Sequence, residues 1–114
     1  PVEPRYLETV GLMSVVDKSA NIREGWRAPH LRISGLVVTK MDTRVRGHNY
    51  LLDELKQHPT LGKLLCGVIP ANEAVSYAHR NHQSIFAYDP QAPAGVAYLK
   101  LVGSLIQRLF KVGA

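Results

Sequence analysis

The sequence holds one cysteine, one tryptophan and two methionines among its 114 residues. A lone Cys66 excludes an intramolecular disulfide and fits a reducing cytoplasm. Set inside an apolar run, it reads as a small buried hydrophobe. No stretch approaches the ~20 consecutive apolar residues that a bilayer-spanning helix needs. The opening PVEPRYLE carries no apolar signal-peptide core. It also lacks an initiating Met and enters a helical pattern almost at once, as a proteolysed or partly ordered protein would. Internal repeats, low-complexity tracts and long linkers are absent too, which leaves one domain or part of one. Acidic residues are in the minority: 9 against 14 Lys and Arg, for a formal net charge of +5. That balance suits an anionic partner, nucleic acid or acidic membrane, although the basic residues are not densely clustered. A hydrophobic content of 46% with 20% charged residues argues for a folded chain.

What is present alternates helix and strand. From Tyr6 apolar residues recur at Leu7, Val10, Leu12, Met13, Val15, Val16 and Ile22, a helical stripe broken by Gly25 and Pro29. Residues 33–39 are β-branched and apolar on both alternations, as in a strand covered on both faces. Residues 44–58 form a helix with His48, Leu51, Leu52 and Leu55 on one face, stopped by Pro59. Residues 64–69 read as a second doubly covered strand. Residues 72–80 make a short helix with Asn72 as N-cap, and residues 84–88 a short strand. Residues 92–111 form the closing helix, its buried stripe being Val96, Leu99, Val102, Leu105, Ile106 and Leu109, with Gly113 as its stop. Such alternation implies parallel strands with right-handed crossovers. The expected class is α/β, a partial three-layer parallel sheet with flanking helices. Two or three strands cannot cover this many helices, so neighbouring strands are expected from another copy or a missing N-terminal half.

The chemistry gathers where the strands end, which is where ligands sit in open α/β sheets. The first strand runs into Lys40-Met41-Asp42, with Arg44 and Arg46 opening the next helix. Asp42 reads as a metal ligand, an acid, a base-recognition group or simply a turn cap. The two arginines lie at the positive end of a helix dipole, a costly place unless phosphate is bound. With Lys40 and His48 close by, they strengthen the electrostatic reading. The second strand ends in Pro70-Ala71-Asn72, a turn whose backbone can read a purine edge. His79 and His82, even with Cys66 or His58, lack the ligand pairing of a metal site. Ser76 with His79 lacks a third group or nucleophile elbow. No glycine-rich phosphate loop occurs anywhere in the chain.

In order and spacing these segments resemble the C-terminal half of the ParA/MinD superfamily of deviant P-loop ATPases, most of all its ParA/Soj branch. Thr39, Asp42 and Arg44 match that branch's Thr-x-x-Asp-x-Arg. Ile69, Pro70 and Asn72 match its Ile-Pro-x-Asn. Ser76, Ala78, Tyr88-Asp89-Pro90, Gly95, Ala97 and Tyr98 follow at matching spacings. The opening resembles the stretch after the family's Walker-B-like strand, with Gly11 and Leu12 as its Gly-Leu pair. Departures are Ala71 and Ala74, where basic residues are common, and Gln83, where Lys is common; Arg80 stands near enough to compensate.

The resemblance implies a P-loop NTPase-like fold and a parent protein that binds ATP and magnesium, dimerises, and holds non-specific DNA. It further implies a ParB-like partner and a cytoplasmic, nucleoid-associated location without membrane attachment. The phosphate loop, its signature Lys and the magnesium-binding Asp would precede Pro1. Residues 1–114 would then be a fragment with no catalytic or metal-binding residue and no tightly held cofactor. Its adenine side would comprise Lys40, Met41, Asp42, Pro70, Ala71 and Asn72, and its DNA contacts Arg44, Arg46 and Arg80. Two other readings stand beside this one. A receiver-like regulatory module would use Asp42, and a MinD-like membrane ATPase would want a more basic amphipathic tail.

Overall fold

Two apolar runs rich in Leu, Val and Ile become the sheet. β1 (Leu36–Met41) and β2 (Leu65–Pro70) pair in parallel, as strands joined through a helical crossover do. The computed structural model describes residues 1–4, 9–26 and 28–110. Around the strands it places α1 (Thr9–Gly25), α2 (Arg46–Gln57), α3 (Leu61–Leu64), α4 (Glu73–Arg80), α5 (Ile85–Tyr88) and α6 (Pro93–Phe110). The class is mixed α/β, with a two-stranded sheet among the described residues. Leu7 and Lys111, expected in the first and last helices, lie outside the described residues, as does the expected stop at Gly113. No described helix is long and apolar enough to cross a membrane.

Neighbouring residues of a strand point to opposite sides of its sheet. Val38 accordingly joins Met41, Leu55 and Leu61 in one buried cluster, against which Leu12, Met13 and Val16 of α1 are packed. Val37 packs against a different cluster built on Ile69, Ala94 and Leu101. That division explains why both alternations of β1 are apolar. The other edge of β1 is occupied as well. Val2 bridges Val38 in parallel, its N–H donating to the Val37 carbonyl and its own carbonyl accepting from Thr39, both at 2.8 Å.

The register slips twice. Leu36 pairs with Leu65 but Val37 with Gly67, so Cys66 is the extra residue of a bulge; its thiol donates to the Leu36 carbonyl at 3.4 Å. The second slip, between Val38 and Met41, contains Lys40, whose φ of 54° is left-handed. Gly67 lets α6 come close: a Cβ there would lie 2.9 Å from Leu101 Cδ1. At the start of both strands Arg108 of α6 donates to the carbonyls of Ser34, Lys63, Leu64 and Leu65.

The helix ends are set by short-range chemistry. Asn72 caps α4, its Oδ1 accepting from Ala74 N–H at 2.9 Å. That helix stops in a Schellman motif: Gln83 N–H reaches the Ala78 carbonyl and His82 N–H that of His79. His82 occupies the left-handed position, with φ 55°. His58 ends α2 and caps α3, its Nδ1 accepting from the N–H groups of Thr60 and Leu61.

Two expectations fail. Residues 84–88 form no strand: Ser84 Oγ accepts from Ala87 N–H at 3.0 Å and nucleates α5 instead. A four-residue apolar run has no period to separate strand from helix, so the cap decides. The closing helix also presents the other face. Val96, Leu99, Val102, Ile106 and Leu109 are exposed, Leu99 by 58%, while Ala94, Gly95 and Leu101 are buried. This helix is apolar around most of its circumference, and its small residues let it approach the sheet most closely.

The exposed stripe belongs to a chain with more surface than its size requires. Its accessible area is 8331 Å², against about 6,200 Å² for a compact protein of 12.6 kDa. Its radius of gyration is 16.0 Å, against about 13 Å for a compact domain of this length. Trp26 at the end of α1, 81% exposed, lies on the same open exterior.

Candidate functional site at the strand ends

Where β1 and β2 end, the chain forms an open cavity of about 390 Å³. Thr39 and Lys40, the segment from Ile69 to Asn72, Glu73, Val75 and Ser76 of α4, and Tyr98 of α6 line it. Ala71 N–H donates to the Met41 carbonyl at 2.8 Å and ties the two strand ends together. The lining is mostly apolar with a few polar groups, the usual make-up of a small-molecule site. Asn72 is its distinctive member. Oδ1 caps α4, while Nδ2 is buried with no hydrogen-bond partner. A buried donor left unpaired costs about 1–3 kcal/mol, which sets Asn72 apart from the other residues at the cavity.

Lys40 stands beside this donor in strained backbone. For a non-glycine residue the left-handed conformation costs about 1–2 kcal/mol. Its ammonium pairs with Glu3 at 2.9 Å. Lys40 also borders a neighbouring cavity of about 430 Å³ with Glu3, Pro4 and His48, so it lies between two concavities.

The turn after β1 is held by its own side chains. Asp42 Oδ1 accepts from Arg44 N–H at 3.0 Å, and Val45 N–H reaches the Asp42 carbonyl. Asp42 N–H donates to His48 Nδ1 at 3.1 Å, and Asn49 Nδ2 donates to the Thr43 carbonyl at 2.7 Å. The Arg44 guanidinium closes on the carboxylate in a fork, Nε to Oδ1 and Nη2 to Oδ2, both 3.0 Å. Those bonds, aided by the Arg44 N–H, hold the Asp42 carboxyl below its ordinary 3.8 and raise the guanidinium in turn. A depressed carboxyl pKa means the pair's contribution is present above pH 3.8 and is lost only as pH falls through the folded-state value.

Of the residues expected at the adenine side, Lys40, Pro70, Ala71 and Asn72 line the cavity. Met41 and Asp42 do not. Met41 is buried in the core with Val38 and Leu55, because its side chain points to the opposite side of the strand from the cavity. Asp42 is turned to Arg44. Among the residues expected at DNA, Arg44 and Arg46 flank the same turn. Arg80 stands apart at the last turn of α4, its guanidinium 5.8 Å from the Tyr77 ring centre. Among the described residues no three His, Cys, Asp or Glu converge as a metal site.

Sequence reasoning missed Thr39, Ile69, Glu73, Val75, Ser76 and Tyr98 in the cavity lining. Val75 carried a readable signal, three residues after the N-cap and therefore above it on the helix. Tyr98 and Glu3 arrive from distant segments and carried none.

The chain is 34% identical over 109 residues to an uncharacterized protein of Pseudomonas putida and 29% identical over 110 residues to one of Methanocaldococcus jannaschii. These matches cover 95% and 96% of the chain but 40% and 42% of the relatives, so it spans about two-fifths of their length. No family model matches the chain.

Proposed function

We propose that this chain is the C-terminal portion of a ParA/Soj-type partition ATPase, forming the base-side wall of its nucleotide site. The observation that carries the reading is Asn72, whose buried Nδ2 has no partner beside a mostly apolar cavity at parallel strand ends. An asparagine amide matches adenine, which offers ring-nitrogen acceptors and an amino donor. Oδ1 keeps a second lone pair after capping Ala74. The matched spacings of Thr39-x-x-Asp42-x-Arg44, Ile69-Pro70-x-Asn72 and Tyr88-Asp89-Pro90 support the same reading. So does the length of the relatives, which leaves room for a phosphate-binding half.

In this proposal the sheet is part of a larger three-layer parallel sheet. The Val2 bridge marks where an adjoining strand would run, and roughly 2,000 Å² of surplus surface is available for the rest of the domain to cover. ATP supplies the hydrolysable phosphates with magnesium; this chain's Asn72, Pro70 and Ala71 would bind and orient the base. The ATP-bound dimer would hold DNA through backbone phosphates at Arg44 and Arg46, answer to a ParB-like partner and reside on the nucleoid. A receiver-like role for Asp42 finds less support, since both its carboxylate oxygens are engaged by Arg44.

The test is competition for ATP in the longer ATPase this reading implies. Adenine nucleotides should displace labelled ATP and pyrimidine nucleotides should not, and Asn72→Ala should erase the preference. Equal displacement by CTP in the unaltered protein would overturn the reading.

A further inference from the structure

We infer that Asp42 is a built-in competitor for the DNA phosphate at Arg44, holding the guanidinium in phosphate-binding geometry until DNA displaces it. The inference rests on the DNA-binding role proposed for Arg44. A planar guanidinium engages carboxylate and phosphate through the same two parallel N–H bonds, and the Asp42 fork already presents that pattern. The pair is exposed on the arginine side and sheltered on the other, with Arg44 89% accessible and Asp42 24%. Incoming phosphate can therefore reach the guanidinium without unfolding anything.

The turn beneath the pair has ties besides the Asp42 carboxylate. Asp42 N–H is held by His48 Nδ1, and the Thr43 carbonyl by Asn49 Nδ2. Loss of the fork therefore releases the Arg44 side chain and leaves its backbone in place. Asp42 acts as a positioning residue with a cost: it aims Arg44 but cancels its charge, so each binding event must exchange one anion for another. Its carboxyl stays ionised well below neutrality, which makes the exchange insensitive to pH across the physiological range.

The experiment compares the longer ATPase with ATP bound, as wild type, Asp42→Asn, Arg44→Ala and the double variant, on a random duplex across a salt series. Asp42→Asn keeps Oδ1 as acceptor for Arg44 N–H while removing the charge and the Oδ2 acceptor that Arg44 Nη2 uses. The expected result is about tenfold tighter binding by Asp42→Asn at about 50 mM salt, with a salt slope steeper by about 0.9. Both gains should vanish when Arg44 is also replaced. Asp42→Asn binding no tighter than wild type, while Arg44→Ala binds more weakly, would overturn the competition and leave the DNA role standing. A gain that persists in the double variant would overturn it as well, being general charge. Binding unaffected by Arg44→Ala in either background would remove the DNA role and the competition together.

Discussion

At the end of the sheet where the strands begin, Arg108 reaches four main-chain carbonyls, and Gly62 packs with no space for a Cβ. At the end where the strands finish, Lys40 is in strained backbone, Asn72 keeps a buried donor without a partner, and a cavity opens between them. One end satisfies its polar groups; the other keeps a buried donor unpaired beside a cavity. Strain and unpaired polar groups persist only where surrounding structure fixes them, and they concentrate at functional sites. The contrast favours the strand-end cavity as the candidate site on geometry alone.

The strongest way to break this comparison is at the filled end. A Cβ on Gly62 would lie 2.5 Å from the Lys56 carbonyl oxygen and 3.3 Å from that of Leu55. Both are backbone atoms of the preceding helix end and cannot swing aside. Gly62→Ala is expected to cost about 3 kcal/mol, despite the roughly 1 kcal/mol that alanine normally gains in a helix. A urea midpoint that does not move would mean this end is less tightly built than the geometry indicates.

A smaller change sharpens the comparison at the open end. Lys40 and His82 are the two left-handed non-glycine residues among those described. Relief of that conformation is worth about 1–2 kcal/mol, part of which glycine's entropy offsets. Lys40→Gly and His82→Gly should each stabilise the fold by roughly 0.5–1 kcal/mol. They should differ in function. In the longer ATPase proposed above, His82 merely completes a Schellman motif, so its replacement should leave ATP binding intact, whereas Lys40→Gly should weaken it in an equilibrium titration. Equal behaviour of the two variants would remove Lys40 from the site.

Much of this was legible in the residues themselves. The parallel strands, the crossover helices and the Asn72 cap follow from apolar runs, period and turn chemistry, all of them local. The failures share a cause. Ser84 to Tyr88 was too short for period to decide between strand and helix. In α6 an apolar circumference hid which face the sheet would take, and Gly67, which chooses the face by admitting Leu101, lies some thirty residues earlier. At the site, Asn72 and Lys40 were legible as strand-end residues. The unpaired Nδ2, the left-handed φ and the Asp42 fork arise only from how the turns close.

The central claim is that Asn72 Nδ2 serves a ligand and not the fold, and Asn72→Asp separates the two. Aspartate retains an oxygen to cap α4 and suits the helix dipole at that position, but it has no side-chain N–H to donate. Calorimetric titration of ATP into the longer ATPase proposed above, as wild type and Asn72→Asp, alongside their urea midpoints, tests this directly. The expected result is a protein that still folds, with a midpoint lowered by burial of the unpaired carboxylate oxygen, and ATP affinity lower by at least about tenfold, as loss of a buried donor bond implies. ATP binding as tight as wild type in a fully folded Asn72→Asp protein would contradict the account.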